Sequence, residues 1–255
     1  MIAQTWWLTH RQIKALLRQP GILVITLIQP VVWLFLFGNL FRRVVELPGF
    51  GTGSYLDYLV PGVVVMNAVS ASMWAGMGTI EEIERGTLNR FLTAPINRGA
   101  IMNANVIVQA LSTAFQSTII VLLGWAAGAH YPGGPAGPVA LVVASVLLGT
   151  VFSALSNVLG MTLRQRESII GLSIFLLLPL TFLSTAFMAK NLMPGWMQGI
   201  ASANPVNWAL HTARGALAVH ADWGTTLIHG GALLVLAAVM VGLSTLTFRG
   251  YQRTV

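Results

Sequence analysis

Long runs of uncharged, mostly apolar residues alternate with short polar stretches along this chain. Six intervals of about twenty or more residues contain no Asp, Glu, Lys or Arg, and the longest is divided by Pro and Gly residues at 130–138. A run of that length crosses the hydrocarbon core of a bilayer as a helix. The pattern predicts six spans, at about 21–40, 58–80, 99–129, 139–163, 168–189 and 225–248.

Residues 1–19 have a different pattern, with apolar and basic residues on opposite sides of a helix. The apolar side carries Trp6, Ile13, Leu16 and Leu17, and the basic side carries Arg11, Lys14 and Arg18. Segregation of this kind is typical of a helix that lies on an anionic membrane surface. We expect 1–19 to be such an interfacial helix.

The segment from 190 to 223 is too polar and too often interrupted to cross a membrane. Asn204 followed by Pro205 predicts a helix cap and the first helical residue. We expect one or two short, half-inserted helices before the last span.

Composition agrees with an all-α integral membrane protein with a single transmembrane domain over residues 1–255. The chain is 55% hydrophobic and 8% charged, and its mean hydropathy is +0.75. Ten Lys and Arg residues fall on one side of the predicted topology and four on the other. Because cytoplasmic loops carry the excess of basic residues, we expect both termini and the stretch 79–98 in the cytoplasm of a bacterial cell, and 190–223 outside. The basic residues flank the spans, so they do not indicate nucleic-acid binding.

Several classes of chemistry lack the residues that they need. The predicted spans contain no acidic or basic residue except the imidazole of His229, so a proton relay is not indicated. Cysteine is absent, and the spacing of His211, His220 and His229 matches no metal motif. The chain has no Gly-Lys dipeptide and hence no phosphate-binding loop. We expect no catalytic residue, metal or cofactor here. A membrane-embedded lipid-modifying enzyme, the less favoured alternative, would require clustered carboxylates or a nucleophile.

The stretch from 79 to 98 holds an unusual share of the chain's charges between two apolar runs. A short charged helix precedes Gly86, an apolar pair follows at Leu88 and Phe91, and Pro95 ends the stretch. This order indicates a docking element for another protein. A solvated loop, kept out of the bilayer by its charges, is the alternative.

Two motifs carry a resemblance to type-2 ABC exporter permeases of the daunorubicin-resistance type. The run from Glu81 to Arg98 resembles the signature of that family in the loop between spans two and three, with Asn89 as a departure. The second motif resembles the family's external segment and consists of Pro194, Trp196, Asn204, Pro205 and Arg214. The layout of spans agrees, so the resemblance covers nearly the whole chain.

The resemblance implies a permease subunit that pairs with a second permease, as a homodimer or heterodimer, and with separate ATPase subunits that bind ATP and magnesium. Residues 81–92 would form a coupling helix seated on the ATPase. The docking residues implied are Glu81, Glu84, Arg85, Gly86, Thr87, Leu88, Arg90 and Phe91. Glu81 and Arg85 are spaced for a pair one helical turn apart.

A substrate pathway between subunits is also implied. Its candidate lining residues are Asn67, Ser70, Met73, Trp74, Ser173, Phe175, Thr181 and Phe182. Polar residues in spans also bond neighbouring helices, which is the alternative for these positions. An uncharged, aromatic pathway suits export of a lipophilic or amphipathic molecule such as a drug, antibiotic or lipid. A glycolipid or polysaccharide exporter is the alternative.

Overall fold

The computed structural model describes residues 2–18, 20–46, 54–84, 98–163 and 165–251, and these ranges contain helices and no strand. The all-helical prediction is therefore confirmed for this part of the chain. In chain order the helices are α1 (Ile2–Leu17), α2 (Pro20–Leu40), α3 (Tyr55–Met73), α4 (Ala75–Glu84), α5 (Arg98–Ala126), α6 (Ala136–Leu163), α7 (Arg166–Phe182), α8 (Gly195–Ala203), α9 (Pro205–Leu217) and α10 (Trp223–Tyr251). Short 3₁₀ turns lie at Arg42–Glu46 and Lys190–Leu192.

Among the described residues, four stretches are long and apolar enough to cross a membrane, which fits a multi-pass membrane protein. They are Tyr55–Glu81, Asn103–Ala126, Ala136–Leu163 and Trp223–Phe248. The first of these combines α3 and α4, which meet at Trp74. A shorter apolar stretch, Ile25–Leu40, belongs to α2.

The fifth predicted span is shorter than expected. Helix α7 ends at Phe182, where the N–H of Leu183 donates to the carbonyl of Pro179 at 2.8 Å. The prediction of a helix continuing to 189 is therefore wrong. Residues 183–189 instead form an irregular segment whose polar groups bond α3 and α9.

Helix α6 is the centre of the bundle and packs against α3, α4, α5, α7, α9 and α10. Its buried face combines apolar residues such as Leu141, Leu148 and Phe152 with the small residues Ser145 and Gly149. Small residues let helix backbones approach closely, which is the main source of helix association where lipid removes the hydrophobic driving force. The position of α6 therefore follows from its pattern of small residues.

The N-terminal end of α3 is capped by its own sequence. The hydroxyl of Ser54 accepts from the N–H of Leu56 at 3.2 Å, and the carboxylate of Asp57 accepts from the N–H of Ser54 at 3.2 Å. Asp57 also accepts from the N–H of His130 at 2.7 Å. This carboxylate thus joins the start of α3 to the loop between α5 and α6.

Candidate docking and transport surfaces

The predicted docking element begins at the end of α4. Its residues Glu81 and Glu84 are described, whereas the others lie outside the described residues; these are Arg85, Gly86, Thr87, Leu88, Arg90 and Phe91. The predicted pairing of Glu81 with Arg85 falls partly in that range. All of these assignments stay predictions.

Glu84 is held by an arginine that the sequence did not indicate as its partner. The guanidinium of Arg166, the first residue of α7, donates from Nε to Glu84 Oε1 at 3.2 Å and from Nη2 to Oε2. Hydrogen bonding to Glu84 and its charge raise the pKa of Arg166 above its ordinary value. The pair is exposed to solvent, so its contribution to folding is small. Its geometric effect is to join the last turn of α4 to the first turn of α7.

Helix α4 is fastened to α6 at several points. The N–H of Gly76 donates to Ser156 Oγ at 2.9 Å, and Ser156 Oγ donates to the carbonyl of Met73. One turn later, Thr79 Oγ1 donates to Asn157 Oδ1 at 3.0 Å, with both side chains buried. The helix that precedes the predicted docking residues is therefore fixed to the centre of the bundle.

Two of the predicted pathway residues lie in a cleft between α2 and α3. The cleft has a volume of about 50 Å³, and its lining residues are Gln29, Pro30, Trp33, Val63, Met66, Asn67, Ser70 and Phe187. The side chain of Asn67 donates to Gln116 Oε1 of α5 at 2.9 Å. The rings of Trp33 and Phe187 stack with centroids 5.5 Å apart. The cleft thus has an aromatic wall and a small number of amide and hydroxyl groups, a composition typical of ligand sites.

The other six predicted pathway residues do not line this cleft. Met73 and Ser173 are fully buried within the chain, and Thr181 is partly buried. Trp74, Phe175 and Phe182 are exposed, the last two by 70% and 58%. A buried side chain cannot line a surface in this conformation, whereas the exposed aromatics face outward where lipid or a second subunit would lie. Their role in transport stays a prediction.

The segment 190–223, predicted to lie outside the cell, is organised by Arg214. Its guanidinium lies 3.7 Å from the ring centroid of Tyr58 and donates to the carbonyls of Thr185 at 2.8 Å and Tyr58 at 3.1 Å. Burial lowers the pKa of Arg214 from its ordinary value, and contact with Tyr58 opposes that shift. An arginine side chain stays protonated through such shifts. Arg214 therefore ties α9 to the start of α3 and to the segment 183–189.

The other members of the predicted external motif occupy helix starts. Asn204 caps α9 by accepting from the N–H of Val206 at 2.9 Å, and Pro205 is the first residue of that helix. This confirms the capping prediction. The amide of Asn204 also donates to the carbonyls of Leu180 at 2.8 Å and Leu183 at 3.1 Å, which closes the end of α7. Pro194 precedes α8, and Trp196 on that helix is 65% exposed.

Two of the histidines that looked unrelated in sequence meet across α9 and α10. The rings of His211 and His229 stack with centroids 5.0 Å apart, and His229 Nδ1 lies 2.9 Å from the carbonyl oxygen of Thr225. Burial, followed by the neighbouring His229 and Arg214, lowers the pKa of His211. Within the described ranges, no three His, Asp or Glu side chains are grouped so as to hold a metal ion.

Sequence reasoning missed several residues that the structure brings to these surfaces. Gln29 and Gln116 are amides within apolar runs, and that contrast is a usable signal for a functional or helix-bonding position. Arg166 gives an equally usable signal in the sequence, because it is a cation next to the end of a predicted span. Thr185 and Tyr58 gave no such signal, because Arg214 binds both through their backbone carbonyls, in addition to its contact with the Tyr58 ring.

The chain is similar to transport permeases over almost its full length. The profile described as "ABC-2 type transporter" matches residues 3–218. A daunorubicin resistance ABC transporter permease, DrrB1, from Streptomyces coeruleorubidus is 29% identical over 96% of this chain and 85% of its own length. An inner membrane transport permease, YadH, from Escherichia coli is 27% identical over 79% of each chain. A protein of Mycobacterium tuberculosis named a probable doxorubicin resistance permease, DrrC, is 20% identical over 84% of this chain and 76% of its own.

Proposed function

The chain belongs to the ABC-2 type transporter family, and from this we propose that it is the permease subunit of an ATP-driven exporter. It moves a lipophilic or amphipathic molecule out across the cytoplasmic membrane. ATP and magnesium bind to a separate ATPase subunit, because this chain lacks a phosphate-binding loop. The permease works as a pair with a second permease subunit.

The names of two relatives support the class of substrate. They refer to resistance against daunorubicin and doxorubicin. The cleft between α2 and α3 agrees with a lipophilic cargo in its composition, an aromatic wall with few polar groups, although its volume of about 50 Å³ admits only part of such a molecule in this conformation. Asn67 and Ser70 orient the cargo through their polar groups.

The proposal for coupling to the ATPase rests on the attachment of α4 to the rest of the bundle. Residues 81–92 dock on the ATPase, and a displacement of that segment enters the permease through α4. Because α4 is bonded to α6 at Ser156 and Asn157 and to α7 at Arg166, it cannot move alone. The displacement therefore reaches α3 and α7, whose residues belong to the proposed pathway.

The proposed topology has six spans with both termini in the cytoplasm. Helices α2 and α7 supply the two spans beyond the four long ones. The interfacial helix α1 lies on the cytoplasmic surface, and the segment 190–223 lies outside.

Co-expression with the ATPase encoded in the neighbouring gene tests this function. We expect the ATPase to co-purify with the wild-type permease, and Leu88→Asp to abolish co-purification because a charge replaces the apolar anchor. Val219→Asp is the matched control, since Val219 is 73% exposed in the external segment and its substitution should leave the complex intact. The proposal fails if no ATPase co-purifies with the wild type, or if Leu88→Asp retains both the complex and its substrate-stimulated ATP hydrolysis.

A further inference from the structure

Gln29 is an amide in the middle of an apolar helix. It follows Pro20, the first residue of α2, by nine positions and precedes Leu40, the last, by eleven. At 1.5 Å per residue, these separations are about 14 Å and 17 Å. In the proposed topology, α2 crosses a hydrocarbon core that is roughly 30 Å thick. The side chain of Gln29 therefore lies near the middle of the membrane, far from water on either side.

The amide of Gln29 is exposed, and it has no hydrogen-bond partner within the part of the chain that the structure describes. On the same helix, the exposed amide of Asn39 donates to the carbonyl of Phe35 at 2.8 Å. An amide left unpaired in hydrocarbon is costly, because no water is present to bind it. A polar group from outside this chain is therefore expected to bind Gln29.

Gln29 shares its surroundings with two other polar side chains. It lines the cleft between α2 and α3 together with Asn67 and Ser70. The hydroxyl of Ser70 bonds no described residue, and Asn67 donates to Gln116 but leaves its own carbonyl oxygen without a described donor. The cleft volume of about 50 Å³ exceeds the roughly 10–15 Å³ that one water molecule needs. A polar group of several atoms can therefore enter between the two helices.

The depth of Gln29 and its neighbours on α2 narrow the choice of occupant. Lipid molecules carry their polar groups near the membrane surfaces and offer only hydrocarbon at this depth. A second permease subunit would pack closely through small residues, whereas Ile25, Ile28 and Val32 beside Gln29 are exposed by 67%, 54% and 50%. A transported molecule differs from both, because it carries its own polar groups to the middle of the membrane.

The residues around the cleft favour a neutral group. No titratable side chain lines the cleft, so an ionised group would lack a counter-charge there. Amide and hydroxyl side chains both donate and accept hydrogen bonds, which suits a hydroxyl or a carbonyl. The stacked rings of Trp33 and Phe187 form the adjoining wall, and aromatic surfaces of this kind bind apolar or aromatic bodies.

We propose that Gln29 is a specificity-determining residue that binds a neutral hydroxyl or carbonyl group of the cargo in the middle of the membrane. The apolar body of the cargo packs on Trp33 and Phe187, and its polar group enters the cleft toward Gln29 and Ser70. These hydrogen bonds replace the water that the group loses during passage. The inference rests on the proposed function and narrows the cargo to lipophilic molecules that carry such a group.

Binding of two matched probes to the purified permease in lipid nanodiscs, without the ATPase, tests this inference. The probes are β-naphthol and β-methylnaphthalene, which share an aromatic body and differ by a neutral hydroxyl in place of a methyl group. Equilibrium dialysis against empty nanodiscs of the same lipid corrects for partition into the bilayer. We expect the wild type to bind β-naphthol about five- to tenfold more tightly than β-methylnaphthalene, the effect of about one hydrogen bond.

Gln29→Leu removes the amide and keeps a side chain of similar size. We expect this variant to lose the five- to tenfold preference, roughly the value of the missing bond, through weaker binding of β-naphthol alone. Asn39→Leu is the matched control, because it removes an exposed amide from the same helix at a position outside the cleft. It should keep the preference of the wild type.

The melting temperature and the oligomeric state separate this role from a structural one. Because Gln29→Leu removes an unpaired amide, it should leave both unchanged. A lower melting temperature or a dissociated dimer would show that Gln29 binds a second subunit, which overturns the proposal. The proposal is also overturned if the wild type binds both probes equally, or if Asn39→Leu loses the preference to the same extent.

The same probes distinguish a failure of this inference from a failure of the proposed function. If the ATPase co-purifies but the wild type shows no preference for β-naphthol, only the role of Gln29 is wrong. If the preference depends on Gln29 but no ATPase co-purifies, the binding site stands and the exporter assignment is wrong.

Discussion

The N–H of Gly76 donates a hydrogen bond of 2.9 Å to the side chain of Ser156, and the two helices touch at this point. A Cβ atom on Gly76 would lie 2.2 Å from the carbonyl oxygen of Ser156. No side chain fits in that space without displacing the backbone of α6. The position of α4, which leads into the predicted docking element, is thus set by a glycine contact.

Substitution of Gly76 should therefore destabilise the protein. We expect Gly76→Ala to lower the free energy of unfolding by about 1–3 kcal/mol, the range for overpacked sites. Gly78→Ala, two residues along α4, meets nothing within 4 Å and should be neutral or stabilising by roughly 0.5–1 kcal/mol. Thermal unfolding in detergent, followed by tryptophan fluorescence, measures both. Equal melting temperatures for the two variants would contradict the contact.

The pair of Glu84 and Arg166 should matter for coupling more than for stability. We expect Glu84→Gln to change the free energy of unfolding by less than about 1 kcal/mol, since both side chains are exposed. The substrate-stimulated rate of ATP hydrolysis should fall while the ATPase still co-purifies. The double exchange of Glu84→Arg with Arg166→Glu restores the pair and should recover part of that rate. Without such recovery, the pair has no part in coupling.

Arg214 should be among the positions of the segment 190–223 at which substitution lowers stability most. Arg214→Met removes the donor to the Thr185 and Tyr58 carbonyls, at a cost of roughly 1–3 kcal/mol for each carbonyl left unpaired. Arg214→Lys should recover little, because one ammonium cannot form the same fork and stack on Tyr58. Lys190→Met, at an exposed lysine bonded to Ser202 at 2.9 Å, is the control. If Arg214→Met and Lys190→Met have the same melting temperature, the bonds of Arg214 to the Thr185 and Tyr58 carbonyls do not stabilise the protein.

Asn67 offers a way to separate transport from structure. Asn67→Leu removes the bond to Gln116 and places an apolar side chain in the cleft. We expect the substrate concentration for half-maximal ATPase stimulation to rise severalfold, by about tenfold if one hydrogen bond to the substrate is lost. Ser145→Ala removes a buried hydroxyl that bonds only its own helix and should leave that concentration unchanged. A fall in melting temperature alone would assign Asn67 to helix packing.

Asp222 predicts a pH dependence at the start of α10. Hydrogen bonds from the hydroxyl and N–H of Thr225 lower the pKa of Asp222 below its ordinary value. Its stabilising effect is therefore complete above about pH 3.9, the unfolded value, and is lost as the pH falls through the lower folded pKa. The melting temperature of Asp222→Asn should lie below that of the wild type near neutral pH and converge with it in acid. A difference that does not change with pH would contradict this assignment.

The helical elements follow from the sequence because each physical requirement is local. Uncharged runs give the long helices, Ser54 with Asp57 caps α3, and Asn204 with Pro205 starts α9. The fifth span was overestimated because residues 183–189 are apolar enough to continue a helix. The bonds that stop it come from Asn204 and Arg214, which are distant in sequence.

The sequence indicates which residues belong to the candidate surfaces, but it does not indicate which other residues bind them. Glu84 and Arg214 were indicated in advance, the first by its place in a charged stretch and both by family resemblance. Their partners, Arg166 and Tyr58, lie 82 and 156 residues away in the chain. Only the packing of α6 against its neighbours brings such groups together, and a pattern read along one helix contains no information on that distance.

The early end of α7 has a consequence for the surrounding membrane. A helix of 17 residues is about 26 Å long at 1.5 Å per residue, which is less than the hydrocarbon thickness of about 30 Å. A bilayer adapts to such hydrophobic mismatch by thinning next to the short helix. Beside α7, the two headgroup layers should therefore approach each other. In the proposed topology, an amphipathic cargo that leaves along α7 would move its polar head through a thinner layer of hydrocarbon than beside the four longer spans.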